Sequence, residues 1–422
     1  MSREAQSVAI IGGGVIGAMC AWYLNKSGHD VTVIDRDRFG AACSHGNCGY
    51  VAPSHILPLP QPGAIGTTLK SLLKPNSPLK VKLGYTPTLW QWFWQFSRKC
   101  NHRDMMESAE GRHLMLQHSY QLYKQLLANE GIDCEWQERG LLFVYADHHH
   151  FESYEKTNDL LTENFGVEAK PLSGDELVKL EPALKPGLGG AWYYEGDCHL
   201  RPDKFMSAMR EKMKAVGVRF VDNFSVQEFQ RGGKNSRAVS DGRETIEADS
   251  FVVATGSLTP FLNKHLGCNI PIQPGKGYSL TMPKPARMPN IPLILEQDRV
   301  AITPMANNYR IGSTMEFAGY DTSIDPKRLS LLTTAAEKYL HDPHTSPIEE
   351  EWYGWRPMTW DGKPIIDRSP AFENVWIAAG HNMLGISMAT GTGHMIDSMI
   401  RGEDCQVDAS HFRLSRLCKT KI

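Results

Sequence analysis

The hydrophobic pattern changes period twice near the start of the chain. Val8–Ile11 is an uninterrupted apolar run, as in a short strand buried on both faces. Gly12, Gly14 and Gly17 follow as G-x-G-x-x-G, enclosing Val15 and Ile16, and Ala18–Leu24 continue with a helical period. Val31–Ile34 is a second apolar run, ending at Asp35, 18 residues beyond Gly17. Strand, glycine turn, helix and strand compose a βαβ unit. Gly12 permits the tight turn, Gly14 lets the backbone approach a pyrophosphate, and Gly17 lets helix and strand pack closely. The helix N-terminus offers free N–H groups to the anion. Asp35, with Arg36 after it, is placed to meet a ribose hydroxyl. A lone glycine fingerprint is weak evidence; here every flanking part is present, and the stretch reads as a dinucleotide site.

Further along, the periodicity predicts helices over 88–100, 111–129, 151–165, 202–216 and 391–400. Strands are predicted at 140–145, 218–221, 224–229, 245–248, 277–282, 300–304, 310–314 and 375–380. Ser250–Gly256 is a buried β-run closing on a glycine turn, as a parallel strand facing a ligand requires. Residues 52–78 carry six prolines and read as irregular. The helix over 88–100 holds three tryptophans and two phenylalanines, with Leu89, Phe93 and Phe96 on one face and Trp92 beside them. It reads as a core or domain-packing helix; an aromatic surface resting on a membrane is the alternative. His148–His150 read as a solvated loop, and no metal site is expected.

Composition narrows the class. At 422 residues two domains are expected. With 41% hydrophobic and 22% charged residues the chain is ordinary globular protein, and a net charge of -2 gives no reason to expect nucleic acid. Nine irregularly spaced cysteines argue for reduced thiols and a cytoplasmic setting. Cys43 and Cys48 are too far apart for a C-x-x-C redox motif. The uncharged run 8–24 resembles a membrane segment, but its clustered glycines fit the βαβ unit better.

A single fingerprint at the N-terminus, joined to a glycine-rich C-terminal strand and helix, fits a long cofactor contacted from both chain ends, and favours FAD over nicotinamide. Four stretches then carry a family likeness: VAIIGGGVIGAMCAWYLNKSGHDVTVIDRD, GKGYSLTMP, GWRPMTWDGKPIID and VWIAAGHNMLGISMATGTG. Together they resemble the D-amino acid oxidase, glycine oxidase and sarcosine oxidase superfamily, with the nearest likeness to bacterial D-amino acid dehydrogenases. The resemblance implies an α/β fold with a discontinuous, glutathione-reductase-type Rossmann domain for FAD. It also implies a second, α+β substrate domain whose antiparallel sheet caps the flavin. The expected division is 1–95, 186–267 and 352–422 for FAD, against 96–185 and 268–351 for substrate.

The resemblance assigns the arginine of the G-x-R-P motif, Arg356, to the substrate carboxylate. A guanidinium can make two parallel hydrogen bonds to that group and stays charged. The alternative is an ion pair with Asp361 or Asp367. Tyr278 is a candidate second contact or a core tyrosine, and His381 is expected beside the flavin ring. Further cofactor contacts are expected from Ser44, His45, Asn47 and Gly49, from Val226 and Gly256, and from Gly380, Gly385, Ile386 and Ser387. Met383 stands where glycine oxidase has an arginine, hinting at a more apolar substrate side, and Asp367 where relatives carry glycine. The flavin-linking cysteine of monomeric sarcosine oxidases is absent here and His45 sits differently from flavin-linked histidines, so a non-covalent flavin is expected.

The resulting expectation is oxidative deamination of D-amino acids, with hydride passing from the α-carbon to flavin N5 and the imine hydrolysing to a 2-oxo acid. Cyclic or N-methylated amines such as D-proline, hydroxyproline, sarcosine or glycine are the alternative substrates. A quinone or other respiratory carrier as electron acceptor, with peripheral contact at the inner face of a membrane, is a further expectation. A non-catalytic flavoprotein and a nicotinamide dehydrogenase are the remaining rivals.

Overall fold

The structure is a computed structural model and describes residues 5–66, 77–82 and 87–417. The opening apolar run forms the strand Ser7–Ile11, flanked in parallel by Asp30–Ile34 and Ser250–Val253. Val375–Ala379 and Arg219–Val221 extend this parallel sheet at its two sides, and Ile365–Arg368 adds an antiparallel edge. The period of two sorts its core. Val8 and Ile10 pack on a helical layer that includes Val15–Lys26 and Gly385–Arg401. Ala9 and Ile11 face the opposite way, into a cluster holding Trp92, Phe317 and Met358. The tryptophan-rich segment, Pro87–Lys99, is a helix whose Leu89 and Trp92 are buried there, while Trp90 and Trp94 are exposed.

A second, mostly antiparallel sheet runs in the order Glu350–Met358, Gln273–Pro283, Asn308–Phe317, Val300–Pro304, Leu293–Leu295, Leu141–Tyr145, Gly190–Tyr194, Lys170–Leu172. Leu79–Val81 pairs with Asn308–Phe317 outside that path. Three of these strands, Leu79–Val81, Gly190–Tyr194 and Glu350–Met358, lie wholly or largely within stretches read from the sequence as part of the FAD domain. One face of the sheet packs on the helix Pro326–Tyr339, through Leu329, Leu332 and Ala336. The other face looks onto the first sheet's loops.

Several elements differ from their sequence-based bounds. The helix read over 111–129 begins nine residues earlier, as His102–Glu130, capped by the Asn101 side chain. Residues 224–229 are a strand only from Glu228, because Phe224 is drawn under the first sheet and its N–H bonds to the Asp35 carbonyl at 2.8 Å. The helix over 151–165 is two, His148–Ser153 and Glu155–Phe165, parted at Tyr154. His148–His150 are therefore a first helical turn, capped by the Asp147 side chain, rather than a loop. The last helix begins at Gly385, six residues before the periodic pattern suggests. The proline-rich stretch is irregular over 52–63; its residues 67–76 lie outside the described residues.

Candidate active site

Both helix N-termini that the first sheet delivers open on one cavity of about 2240 Å³. Gly12, Gly14, Val15 and Ile16 border it from the first turn, and Asp35 and Arg36 from the end of the second strand. Ser44, Asn47 and Gly49 border it from the following loop, Val226 and Gly256 from the far side, and Gly385, Ile386 and Ser387 from the second helix. Gly17, His45 and Gly380 stand behind this wall. Gly12 has φ +109° and a Cβ there would fall 2.5 Å from the Ala254 carbonyl oxygen. At Gly17 a Cβ would overlap the Gly12 carbonyl, so close helix–turn packing is what this glycine provides. Gly380 has φ +77°, and its Cβ would meet Thr359 Cγ2 at 2.7 Å.

Asp35 is tied to the turn it serves. Its Oδ2 accepts from the Gly13 N–H at 2.6 Å and its Oδ1 from the Asp37 N–H at 2.8 Å. Burial still holds its carboxyl above the usual aspartate range. Ser44 Oγ accepts from the Val15 N–H at 2.9 Å, capping the first helix from the neighbouring loop. That loop is fastened to the second sheet. Arg310, buried, donates from Nη1 to the Asn47 and His45 carbonyls at 3.0 and 3.3 Å, and Ser279 Oγ donates to the Gly46 carbonyl at 2.7 Å. His45 Nε2 lies 2.7 Å from Glu350 Oε1, which raises the imidazole pKa, and so turns away from the cavity. Ser387 Oγ donates to the Tyr50 carbonyl at 2.8 Å, so its hydroxyl joins the second helix to the loop.

Arg356, on the strand Glu350–Met358, also borders the cavity. Among the described residues its hydrogen-bond acceptor is the Thr314 carbonyl, 2.7 Å from Nη1. No described carboxylate pairs with it: Asp361 is bound to Arg416 at 2.7 Å, and Asp367 accepts from the Leu414 N–H at 2.7 Å. Burial lowers its pKa, against the opposing effect of Cys43 and Cys48, without removing its charge. Ser313 and Thr314, with φ +109° and +53°, form the irregular turn of strand that aims this carbonyl.

Tyr278 is placed differently from the first of its two readings. It pairs with Tyr353 while Gly277 pairs with Gly354, so alternation puts Tyr278 and Arg356 on opposite faces of the sheet. Its hydroxyl donates to the buried Glu316 Oε2 at 2.7 Å, and its ring belongs to the core under Pro326–Tyr339. Tyr278 also borders the cavity, but its side chain is held as that of a core tyrosine. His381 borders the cavity, buried, with Nε2 2.9 Å from Thr392 Oγ1; burial pushes its pKa down to about 3 and keeps the imidazole neutral. The next residue, Asn382, takes φ +53° and donates its N–H to the Pro357 carbonyl at 3.1 Å, tying this turn to the arginine strand.

The FAD dependent oxidoreductase family model matches residues 7–399. The chain belongs to that family. A D-amino acid dehydrogenase of Vibrio vulnificus (strain YJ016) is 33% identical over 412 residues, covering 95% of this chain and 97% of that protein. The structure resembles glycine oxidase from Geobacillus kaustophilus with a TM-score of 0.77 at 21% identity, covering 98% of this chain and 99% of that one. It resembles L-proline dehydrogenase from P. horikoshii with a TM-score of 0.71 at 20% identity, covering 98% of both. These two likenesses are of fold.

The residues present fit the FAD on which this oxidoreductase family depends. Two helix N-termini present first-turn N–H groups to one cavity, where the residues Gly14 and Gly385 place no side chain over them. The Asp35 carboxylate, the neutral His381 and the charged Arg356 all border this cavity. The sequence did not disclose Arg310, Glu350 or Trp352. Trp352 lies between Gly46 and Gly354, where a Cβ on either glycine would overlap its ring. Two glycines facing one tryptophan is a signal visible only once the strands are paired.

Proposed function

We propose that this oxidoreductase removes two electrons from the Cα–N bond of a D-amino acid, whose imine product water then hydrolyses to a 2-oxo acid and ammonia. The observation that carries the reading is the Arg356 guanidinium, without an ion-pair partner among the described residues, in the same cavity as the FAD cradle. The substrate class follows the relatives from Vibrio vulnificus named D-amino acid dehydrogenase. When bound, FAD supplies the acceptor for the hydride that leaves the α-carbon. Arg356 would hold the carboxylate through two parallel hydrogen bonds and fix which way the α-hydrogen points. Gly277 keeps clear the space the guanidinium uses. Neutral His381 adds no positive charge beside the developing iminium, and the substrate amine enters unprotonated. The decisive experiment is anaerobic bleaching of the flavin by a panel of amines. D-amino acids are expected to bleach it; bleaching by cyclic or N-methylated amines alone would move the assignment to that class, and a flavin no amine bleaches would end it.

We also propose that a quinone or another respiratory carrier, rather than oxygen, takes the electrons. The support is the helix Pro87–Lys99, which presents Trp90 and Trp94 outward together with Arg98, a composition suited to a membrane interface. No helix among the described residues is long and apolar enough to cross a membrane. Turnover with dye and without peroxide would support this acceptor, and stoichiometric peroxide would refute it.

A further inference from the structure

Directly paired residues of neighbouring strands carry their side chains on the same face. The register therefore traces a row across the second sheet. Trp352 pairs with Ser279, Ser279 with Gly312, Gly312 with Ala301, Ala301 with Ile294, and Ile294 with Phe143. Arg356 is four residues from Trp352 on the same strand and shares this face. Every residue of the row borders the cavity that Arg356 borders. The row starts at Trp352 on the arginine strand and Ser279 beside it, which the loop at Gly46 covers, and then runs through glycine and alanine to isoleucine and phenylalanine. Strands about 4.8 Å apart put Phe143 roughly 14 Å from Gly312, three strands on.

The flanks of this roof are settled by their own partners. On one side Arg310 and Thr303, two residues further along their strands, donate to the carbonyls of the loop at 45–48. On the other, Glu296 Oε2 is 2.6 Å from Arg299 Nη1, and Asp298 Oδ1 is 2.6 Å from Lys338 Nζ. Among the described residues of the roof and its flanks, Arg356 is the charge left without an ion-pair partner.

We propose that the substrate's side chain lies beneath Ala301 and Ile294, and that the enzyme prefers neutral amino acids with bulky apolar side chains to small or charged ones. This rests on the amino-acid reading above and adds the side-chain class to it. Cys48 Sγ fills the space under Gly312, 3.0 Å from where a Cβ there would stand, so the room lies beyond it: Ala301 is small enough to admit side-chain atoms, and Ile294 and Phe143 supply apolar surface for the rest. A charged side chain would shed water there and meet no counter-charge. A one-carbon side chain would leave the space beneath Ile294 unfilled.

The test compares kcat/KM of the FAD-loaded enzyme for D-phenylalanine, D-leucine, D-alanine, D-aspartate and D-lysine with a dye acceptor. D-phenylalanine and D-leucine are expected to exceed the other three by tenfold or more. One methylene in a closed apolar pocket is worth about 10- to 200-fold. Ala301→Leu should therefore depress D-phenylalanine at least tenfold more than D-alanine. Ile294→Ala, which removes apolar contact instead of filling space, should also lower the D-phenylalanine to D-alanine ratio, and it answers the question if Ala301→Leu fails to fold. D-alanine or D-aspartate as the better substrate, or a ratio unmoved in a folded variant, overturns the proposal. If no amino acid bleaches the flavin, the amino-acid reading falls and this proposal falls with it.

Discussion

The Arg356 guanidinium lies against the α-carbon of Gly277, where a Cβ would come within 2.5 Å of Cζ and Nη2. The glycine is therefore part of how the arginine is held, and a methyl group there must displace it. Gly277→Ala is expected to raise KM for the amino acid by about 10- to 100-fold, the loss of a hydrogen bond to a charged group, with the flavin spectrum unchanged. Arg356→Ala should do so more severely, and Arg356→Lys should recover only part, since an ammonium lacks the planar fork. Steady-state kinetics with flavin content measured alongside checks this. An unchanged KM in Gly277→Ala would mean that the carboxylate is bound elsewhere.

Asp35 serves two ends of the cradle, since the same carboxylate that faces the cavity accepts from the Gly13 N–H. Removing it would free that N–H and withdraw a ribose acceptor together. Asp35→Ala is expected to weaken FAD binding by about 10- to 100-fold, read as the Kd from fluorescence quenching on titrating FAD into apoprotein. Asp35→Asn should lie between, because its amide oxygen still accepts. FAD binding as tight in Asp35→Ala as in the parent would remove Asp35 from the site.

The βαβ unit was legible because its signals are local: an apolar run, three glycines at fixed offsets and an acid at the end of the next strand. Asp35 and Gly12 carry their roles within one short βαβ unit, from Ser7 to Asp35. Tyr278 was not legible in the same way, since the face a strand residue takes depends on its partners, and a register shift lies between Lys276 and Tyr278. The helix start at Gly385 has no side-chain cap, so nothing announced it before the glycines at 391 and 393. The row from Ser279 to Phe143 joins five strands, four from residues 273–317 and one, Leu141–Tyr145, from far upstream. Single-strand periodicity marks which residues alternate, but not which alternations meet.

Asp197 is buried and holds the segment before His55: its Oδ2 accepts from Ser54 Oγ at 2.5 Å and its Oδ1 from the Ser54 N–H at 3.1 Å. Burial pushes its pKa up to about 7 despite these bonds. An unfolded aspartate titrates near ~3.9, so the folded chain holds the extra proton between the two values. The stability contributed by the protonated carboxyl is complete below about pH 4 and is lost as pH rises through about 7. Ionising it costs on the order of 4 kcal/mol. Asp197→Asn should be more stable than the parent at pH 8 and lose that advantage at pH 4, as read by Tm across pH. Equal pH slopes for the two proteins would show that Asp197 ionises freely.

His381 borders the cavity with Nε2 on Thr392 Oγ1, and burial holds its pKa down to about 3. It therefore stays neutral across the working range, and its titration should not shape the reaction. The acid limb of kcat/KM then belongs to the substrate, whose ammonium group must lose its proton before hydride can leave the α-carbon. Two amino acids with different amine pKa values are expected to give limbs displaced by that difference. His381→Asn, which keeps a polar group toward Thr392, should lower the rate but leave each limb where it was. The opposite pattern, a limb shared by all substrates and moved by His381→Asn, would make the histidine the base.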